Sequence, residues 1–131
     1  MKITGLYTKQ IITAEKSDTI VAVASRLSEH DIGALPVMEK GRLIGIISER
    51  DLVRAIAQGD SPQGSIAGRM TAGAAWIAPD ADSHEVAHKM LALGIRHLPV
   101  VEMGQVLGMI SARDLLGLEA GLAYLRSERK T

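Results

Sequence analysis

The stretches "IGALPVMEKGRLIGIISERDL" (residues 32–52) and "IRHLPVVEMGQVLGMISARDL" (residues 95–115) decide the fold, because they are two copies of one pattern. A displacement of 63 residues, which carries Asp51 onto Asp114, aligns the two halves of the chain without a gap. The same displacement brings "ITGLYT" (3–8) onto "IAGRMT" (66–71). An internal repeat of this kind indicates that the chain contains one structural unit twice.

Each repeat has the pattern β-α-β-β-α. Apolar periodicity predicts first strands at about 11–14 and 75–78, and amphipathic helices at about 19–31 and 82–93. Hairpins follow at 34–38 with 43–48 and at 97–101 with 106–111, and second helices begin at 49 and 112. The fold class is therefore α+β, and the two repeats should pack together because neither covers its own sheet.

The repeats also set the expected domain boundaries. Repeat one is predicted at residues 1–60, a linker at 61–65, repeat two at 66–122 and a C-terminal tail at 123–131. Gly45 and Gly108 lie within strands whose other residues are predicted to be buried. A glycine inside a strand favours a β-bulge or a close approach of backbone or ligand.

Composition narrows the classes of function. The chain has 131 residues and no cysteine, which excludes disulfides and thiolate metal sites. Fifteen basic and fifteen acidic side chains leave no net charge, and a single Trp with no Phe gives no stacking platform for single-stranded nucleic acid. No apolar run has the length of a signal peptide or a membrane span. We therefore expect a cytoplasmic protein with no nucleic-acid or membrane partner.

The stretch His84–His88, "HEVAH", matches the H-E-x-x-H signature of zinc metalloproteases. The repeat aligns it with Val21–Ser25, on a helix that has the same packing role without histidine. A catalytic zinc also needs a third ligand, and no later His, Glu or Asp lies on an element that obviously returns to this helix. Metal hydrolysis is the weak alternative, and the sequence predicts no metal site.

The segments "ISERDL" and "ISARDL" place a serine and an aspartate three residues apart at the start of a helix. Ser48 with Asp51, and Ser111 with Asp114, match the capping-box pattern, which stabilises a helix by about 1 kcal/mol. The same position suits a ligand, because a helix N-terminus attracts phosphate and a carboxylate accepts hydrogen bonds from ribose hydroxyls. Both interpretations remain open at this point.

The whole chain resembles a cystathionine-β-synthase (CBS) domain pair, or Bateman module, through "DIGALPVMEKGRLIGIISERDL" and "GIRHLPVVEMGQVLGMISARDL". The resemblance covers about residues 3–120. It implies two βαββα repeats packed about a pseudo-twofold axis, with two clefts between them. Members of the family bind AMP, ADP, ATP, S-adenosylmethionine or sometimes NAD in these clefts, and regulate enzymes, channels or transporters.

The resemblance also implies ligand-binding residues. Asp51 and Asp114 would hold ribose hydroxyls, and the residues near phosphate would be Ser48, Ser111, Arg50 and Arg113. Thr8 and Thr71 match a threonine that often lines the cleft. The strand residues around Ile12–Ala14 and Trp76–Ala78, with Ala14 and Ile77 among them, would flank the adenine, mostly through their backbone.

One difference separates the two repeats. Arg96 and His97 precede Leu-Pro-Val in repeat two, where repeat one has Gly33 and Ala34. Basic residues at this place often contact phosphate in the family, so we expect the cleft with Asp114 to prefer phosphorylated ligands.

The resemblance therefore predicts a stand-alone regulatory sensor that is not an enzyme and requires no cofactor, with an adenine nucleotide as its regulatory ligand. A homodimer is expected because the last helix carries Leu115, Leu116, Leu118, Leu122 and Leu125, and a regulated protein is the expected further partner. The alternative is a structural dimerisation module whose clefts stay empty.

Overall fold

The computed structural model describes residues 1–9, 11–73 and 75–117. The chain divides into two compact units. One, the contiguous unit, is Ile12–Ala75, and the other, the split unit, combines Met1–Ile11 with the chain from Trp76 onward. Neither unit corresponds to one sequence repeat, because the opening residues of each repeat belong with the body of the other.

The contiguous unit contains a four-stranded sheet with the order β1-β2-β3-β4. β1 runs parallel to β2, and the β2–β3 and β3–β4 pairs are antiparallel. Its elements are β1 (Ala14–Glu15), α1 (Ile20–His30), β2 (Ala34–Glu39), β3 (Arg42–Ser48), α2 (Glu49–Ala57), a 3₁₀ turn (Ile66–Gly68) and β4 (Thr71–Ala72).

The split unit has the same plan. It contains α3 (Ser83–Leu93), β5 (His97–Glu102), β6 (Gln105–Ser111) and helical residues 112–117. Isolated bridges join Ile77 to Val100 in parallel and Thr8 to Met109 in antiparallel orientation, in the places that β1 and β4 occupy in the contiguous unit. The predicted α+β class is confirmed. In the part of the chain that the structure describes, no helix has the length and apolar character needed to cross a bilayer.

The opening segment of each repeat is fixed by a buried isoleucine. Ile3 and Ile66 are fully buried. The Ile3 amide donates to the Ala81 carbonyl at 2.9 Å, and the Ile66 amide donates to the Asp18 carbonyl, also at 2.9 Å. The compact units therefore do not coincide with the predicted repeats. The predicted repeat boundaries refer to the sequence and stay a prediction.

The two long helices bury one face each, as their periodicity predicts. In α1, which Thr19 caps, the buried residues are Ile20, Val23 and Leu27. In α3, which Asp82 caps, they are Val86 and Met90. The same periodicity places Ala24 and Leu93 on the buried faces, but both are exposed. Leu93 is the last residue of its helix, where the chain turns away at the left-handed Gly94.

An ion pair links α1 to the turn before it. Arg26 Nη1 lies 2.8 Å from Asp18 Oδ2, which also accepts from the Glu15 amide at 2.9 Å. Burial raises the pKa of Asp18, but the hydrogen bonds from Arg26 and Glu15 outweigh it, so the net pKa lies below its ordinary value of 3.8. The folded state therefore favours the ionised carboxylate.

Asp18→Asn should lower the free energy of unfolding at pH 7. A carboxylate with a lowered native pKa stabilises the fold above its unfolded pKa, and this contribution disappears as pH falls through the native pKa. The difference between wild type and variant should therefore shrink below the ordinary value of 3.8. Urea unfolding followed by circular dichroism from pH 7 to pH 3 measures it. Asp80→Asn is the control, because Asp80 is exposed. A wild-type-to-variant difference that stays constant over this range would contradict the assignment.

Candidate ligand-binding site

Both serine–aspartate pairs form complete capping boxes. The Ser48 amide donates to Asp51 Oδ2 at 2.8 Å, and the Asp51 amide donates to Ser48 Oγ at 3.2 Å. Ser111 and Asp114 repeat this geometry at 2.8 and 3.2 Å. The capping interpretation of the sequence is therefore correct in both units.

Capping leaves each aspartate with acceptor capacity. Among the described residues, no hydrogen bond reaches Oδ1 of Asp51 or Asp114. An ionised carboxylate offers about four acceptor positions, and the cap uses one of them. Both side chains are half-buried, and the neighbouring Arg50 and Arg113 are exposed. One carboxylate can therefore cap its helix and still accept hydrogen bonds from a ligand.

The opening segment of each repeat joins the sheet of the other repeat. Each threonine therefore lies in the same unit as the aspartate of the other repeat. Thr71 lies in β4 and pairs with Ile46 on β3, the strand that leads to Ser48. The Thr8 amide donates to the Met109 carbonyl at 3.0 Å, and the Met109 amide donates back to the Thr8 carbonyl at 3.1 Å. Thr8, at the start of repeat one, therefore belongs with Asp114 in repeat two.

The predicted site residues thus fall into two sets. The set of the contiguous unit is Ala14, Ser48, Arg50, Asp51 and Thr71. The set of the split unit is Thr8, Ile77, Arg96, His97, Ser111, Arg113 and Asp114.

Strand register shows which side chains of the split unit share a face of the sheet. Pro99 pairs with Met109, which pairs with Thr8, and two residues along β5, His97 pairs with Ser111. The row between them, Leu98 with Ile110, is fully buried. Because side chains alternate along a strand, Thr8, Met109, Pro99, His97 and Ser111 project on the side opposite this row, where Pro99 is also fully buried. We call this side the site face.

Ala14 and Ile77 project away from the site face. Their side chains are only 1% and 3% exposed. The backbone of Ile77 is also engaged, since its amide donates to the Pro99 carbonyl at 3.0 Å and its carbonyl accepts from the Val101 amide at 2.9 Å. Their role as ligand contacts stays a prediction.

Arg96 and His97 lie where the hairpin of the split unit meets the following helix. The Arg96 carbonyl accepts from the Ala112 amide at 2.8 Å, and His97 lies opposite Ser111. The Arg96 side chain is exposed, and His97 is half-buried. In the contiguous unit, Gly33 and Ala34 occupy these places, so the basic groups accompany Asp114 and not Asp51.

The histidines of "HEVAH" lie on the outer surface of α3. The His84 side chain is 93% exposed, and its Nδ1 lies 3.3 Å from Asp82 Oδ1. His88 is exposed as well. Within residues 1–9, 11–73 and 75–117, no group of three or more His, Cys, Asp or Glu is placed to hold a metal ion. The structure offers no third ligand from these residues for a zinc on this helix.

The CBS domain model matches residues 3–58 and 64–121, one match for each repeat. The chain belongs to the CBS domain family. It is 31% identical to the CBS domain-containing protein YhcV of Bacillus subtilis, over 82% of this chain and 78% of that protein. It is 35% identical to an uncharacterised protein of Methanopyrus kandleri over 93% of this chain, but it spans only 65% of that relative.

Solved CBS structures share the fold. The CBS domain pair of protein MJ0100, in complex with 5′-methylthioadenosine and S-adenosylmethionine, is 30% identical with a TM-score of 0.84, covering 92% of this chain and 97% of that one. The CBS domain protein PAE2072 of Pyrobaculum aerophilum, complexed with AMP, is 27% identical with a TM-score of 0.82, covering 97% and 99%. The resemblance recognised in the sequence is confirmed.

The strand glycines of the CBS hairpins permit the backbone contacts that hold the site threonines. A Cβ on Gly108 would lie 2.0 Å from the Thr8 carbonyl oxygen, and a Cβ on Gly45 would lie 2.4 Å from that of Thr71. The register also shifts beside each glycine, between Val37 and Met38 and between Val100 and Val101. A bulge and a close approach of backbone therefore occur together at these glycines.

Gly108→Ala should destabilise the protein by about 1–3 kcal/mol, the usual effect of overpacking, because the methyl group must displace the Thr8 backbone. Urea unfolding measures the loss. Gly68→Ala is the matched control, since nothing lies within 4 Å of its added Cβ. Equal stability of the two variants would show that the Thr8 segment does not depend on this contact.

Proposed function

We propose that this chain is a regulatory module that binds adenosine-containing ligands, namely AMP, ADP, ATP or S-adenosylmethionine, and has no catalytic activity of its own. The observation that carries the proposal is the pair of capping aspartates, each of which keeps Oδ1 available at the start of a helix. The bound AMP of PAE2072 and the bound S-adenosylmethionine of the MJ0100 domain pair support this class of ligand.

Each residue type has a role that its chemistry explains. The aspartate accepts hydrogen bonds from the two ribose hydroxyls. These hydrogen bonds are stronger than those to a neutral side chain, because the acceptor is ionised. The serine hydroxyl accepts from the aspartate amide and keeps its own proton to donate to a phosphate oxygen. The exposed arginines, Arg50 and Arg113, add charge-assisted contacts to phosphate.

The hydrogen bonds to the aspartate do not by themselves supply the free energy of micromolar binding. Two charge-assisted hydrogen bonds contribute about 3–6 kcal/mol, and micromolar affinity corresponds to about 8 kcal/mol. Phosphate contacts and an apolar surface for the base have to supply the rest. The split unit has Arg96 and His97 where the contiguous unit has Gly33 and Ala34, and these basic residues support our assignment of the phosphorylated ligand to the set with Asp114.

Ligand binding would regulate by shifting the population of two conformations, with a coupling of about 1–3 kcal/mol between ligand and output. The output is a second copy of the chain, a regulated protein or both. A structural association module without a ligand is the second candidate, and the apolar residues exposed on α2 favour it.

Asp114→Asn should weaken AMP binding by about 10- to 150-fold, the equivalent of one hydrogen bond between charged and neutral groups. Asparagine can still accept the Ser111 amide and so keep the cap, but its amide group replaces the second acceptor oxygen with a donor. Calorimetric titration with AMP and with adenosine measures both affinities. Asp51→Asn is the matched control and should affect AMP less.

Two results would contradict this proposal in different ways. Loss of AMP binding in Asp51→Asn with none in Asp114→Asn would reverse the assignment of the phosphorylated ligand. Failure of wild type to bind any adenosine compound would instead favour the structural module.

We also propose that the chain forms a homodimer. Val53 and Ile56 on α2 are 69% and 49% exposed, and Leu116, the counterpart of Val53, is 66% exposed. Leu115 is half-buried, and Leu118, Leu122 and Leu125 lie outside the described residues. Exposed apolar side chains on one helix face are typical of an association surface.

Light scattering after size exclusion should give twice the 14.0 kDa mass of one chain. The double variant Val53→Glu with Leu116→Glu should shift the protein toward the single-chain mass, because burying two carboxylates opposes association. Val21→Glu, on an exposed position of α1, is the control. A wild-type protein that elutes only as a 14.0 kDa species refutes the dimer.

A further inference from the structure

The histidines of "HEVAH" have no part in the proposed function. His84 is the second residue of α3 (Ser83–Leu93), and His88 follows one turn later. Both side chains are exposed, that of His84 by 93%. The helix buries Val86 and Met90 instead. The packing of α3 therefore gives no reason for either histidine.

The spacing of the two histidines brings both imidazoles within reach of one ion. Residues four apart on a helix are neighbours on one face, with Cβ atoms about 5–6 Å apart. His84 and His88 both lie within the helical range of α3, so this spacing applies to them. An imidazole nitrogen binds zinc at about 2.0–2.1 Å. Two exposed rings can therefore meet at one ion without any change of the backbone.

Neighbouring carboxylates offset the positive end of the helix, which by itself disfavours a cation. Asp82 accepts from the His84 amide at 2.9 Å, and its Oδ1 lies 3.3 Å from His84 Nδ1. A carboxylate beside one ring nitrogen orients the imidazole and leaves Nε2 to bind a metal. Asp82 also lies 3.4 Å from the Met1 ammonium, and Glu85 adds a second exposed carboxylate in the first turn. The nearby acidic groups therefore outnumber the one ammonium, which favours a dication.

The equivalent helix of the contiguous unit has neither histidine. In α1, Val21 and Ser25 occupy the positions of His84 and His88, and both are exposed there as well. The same fold therefore forms without imidazoles at these positions. The histidines are a chemical difference between two equivalent helix surfaces, and repeat one supplies the residues for replacing them.

We propose that His84 and His88 together bind a divalent late transition-metal ion, with zinc as the representative, so that the split unit takes a second ligand besides an adenosine compound. This inference goes beyond the proposed function and does not depend on it. Imidazole nitrogen suits zinc, copper and nickel, whereas magnesium and calcium prefer oxygen ligands.

The number of ligands determines the kind of site. Among the described residues, no group of three or more His, Cys, Asp or Glu could hold a metal, so this chain offers two ligands and water completes the coordination. Structural zinc sites use four protein ligands. A site with two ligands suits reversible binding, and an ion that bridges one turn of α3 stabilises the folded state by mass action.

Calorimetric titration of the untagged chain with zinc chloride, in the absence of nucleotide, tests the site. Zinc should bind with a Kd well below about 1 mM, and magnesium chloride should give no comparable heat. When free zinc is ten times the Kd, mass action should raise the Tm by about 5 °C. In NMR spectra, zinc should shift the ring signals of His84 and His88 over the same range of concentration.

The variants take their residues from repeat one. His84→Val and His88→Ser should each weaken zinc binding by about 100-fold, the lower end of the gain from linking two ligands. Each should also lose the rise in Tm that zinc causes, measured against the Tm of the same variant without zinc. His30→Ser is the matched control, because His30 is a single exposed histidine on α1, and it should leave the zinc affinity unchanged. All three variants should bind AMP as wild type does.

The contrary outcomes are distinct. Unchanged zinc affinity in His84→Val or in His88→Ser overturns the two-histidine site, since one imidazole would then suffice or the ion would bind elsewhere. A wild-type Kd above about 1 mM, or equal affinity for magnesium, overturns it as adventitious binding. These results leave the proposed function intact, because that proposal depends on the titration with AMP. Failure to bind AMP would overturn the proposed function and leave the zinc site standing.

Discussion

The backbone contact between Thr8 and Met109, with its counterpart between Thr71 and Ile46, is the constraint on which the rest of the structure depends. It forms only because the residue beside it on the strand, Gly108 or Gly45, has no Cβ. The contact adds the opening segment of one repeat to the sheet built from the other. This contact therefore places Thr8 of repeat one in the same unit as Asp114 of repeat two.

The capping boxes show that the structural and the functional interpretations of "ISERDL" and "ISARDL" are compatible. Each aspartate uses Oδ2 for the serine amide, and Oδ1 receives no hydrogen bond from the described residues. The cap also fixes the orientation of the carboxylate before a ligand arrives. A group held in this way loses little conformational freedom on binding, so a stabilising contact also prepares the proposed site.

Local patterns made most of the fold predictable. The predicted helix at 19–31 is α1 (Ile20–His30), and the predicted strands at 34–38 and 43–48 are β2 (Ala34–Glu39) and β3 (Arg42–Ser48). The sequence did not predict that each opening segment joins the sheet of the other repeat, because Thr8 and Met109 are far apart in sequence. In addition, β4 has only two residues, which are too few to show an alternation of apolar and polar side chains. Gly45 and Gly108 indicated a close approach of backbone, but a bulge alone was the simpler explanation of a glycine inside a strand.

Several differences between the two units lie close to the predicted site residues. Some buried pairs are identical, with Leu35 matching Leu98 and Val37 matching Val100, whereas buried Ala14 matches the larger Ile77. Near the site, the contiguous unit has Thr13, Gly33 and Ala34 where the split unit has Trp76, Arg96 and His97. One scaffold can therefore present two chemically different sets of side chains. The split unit carries two basic groups with its carboxylate, and the contiguous unit keeps its carboxylate with smaller neighbours, a difference that supports the proposed assignment of the phosphorylated ligand to the split unit.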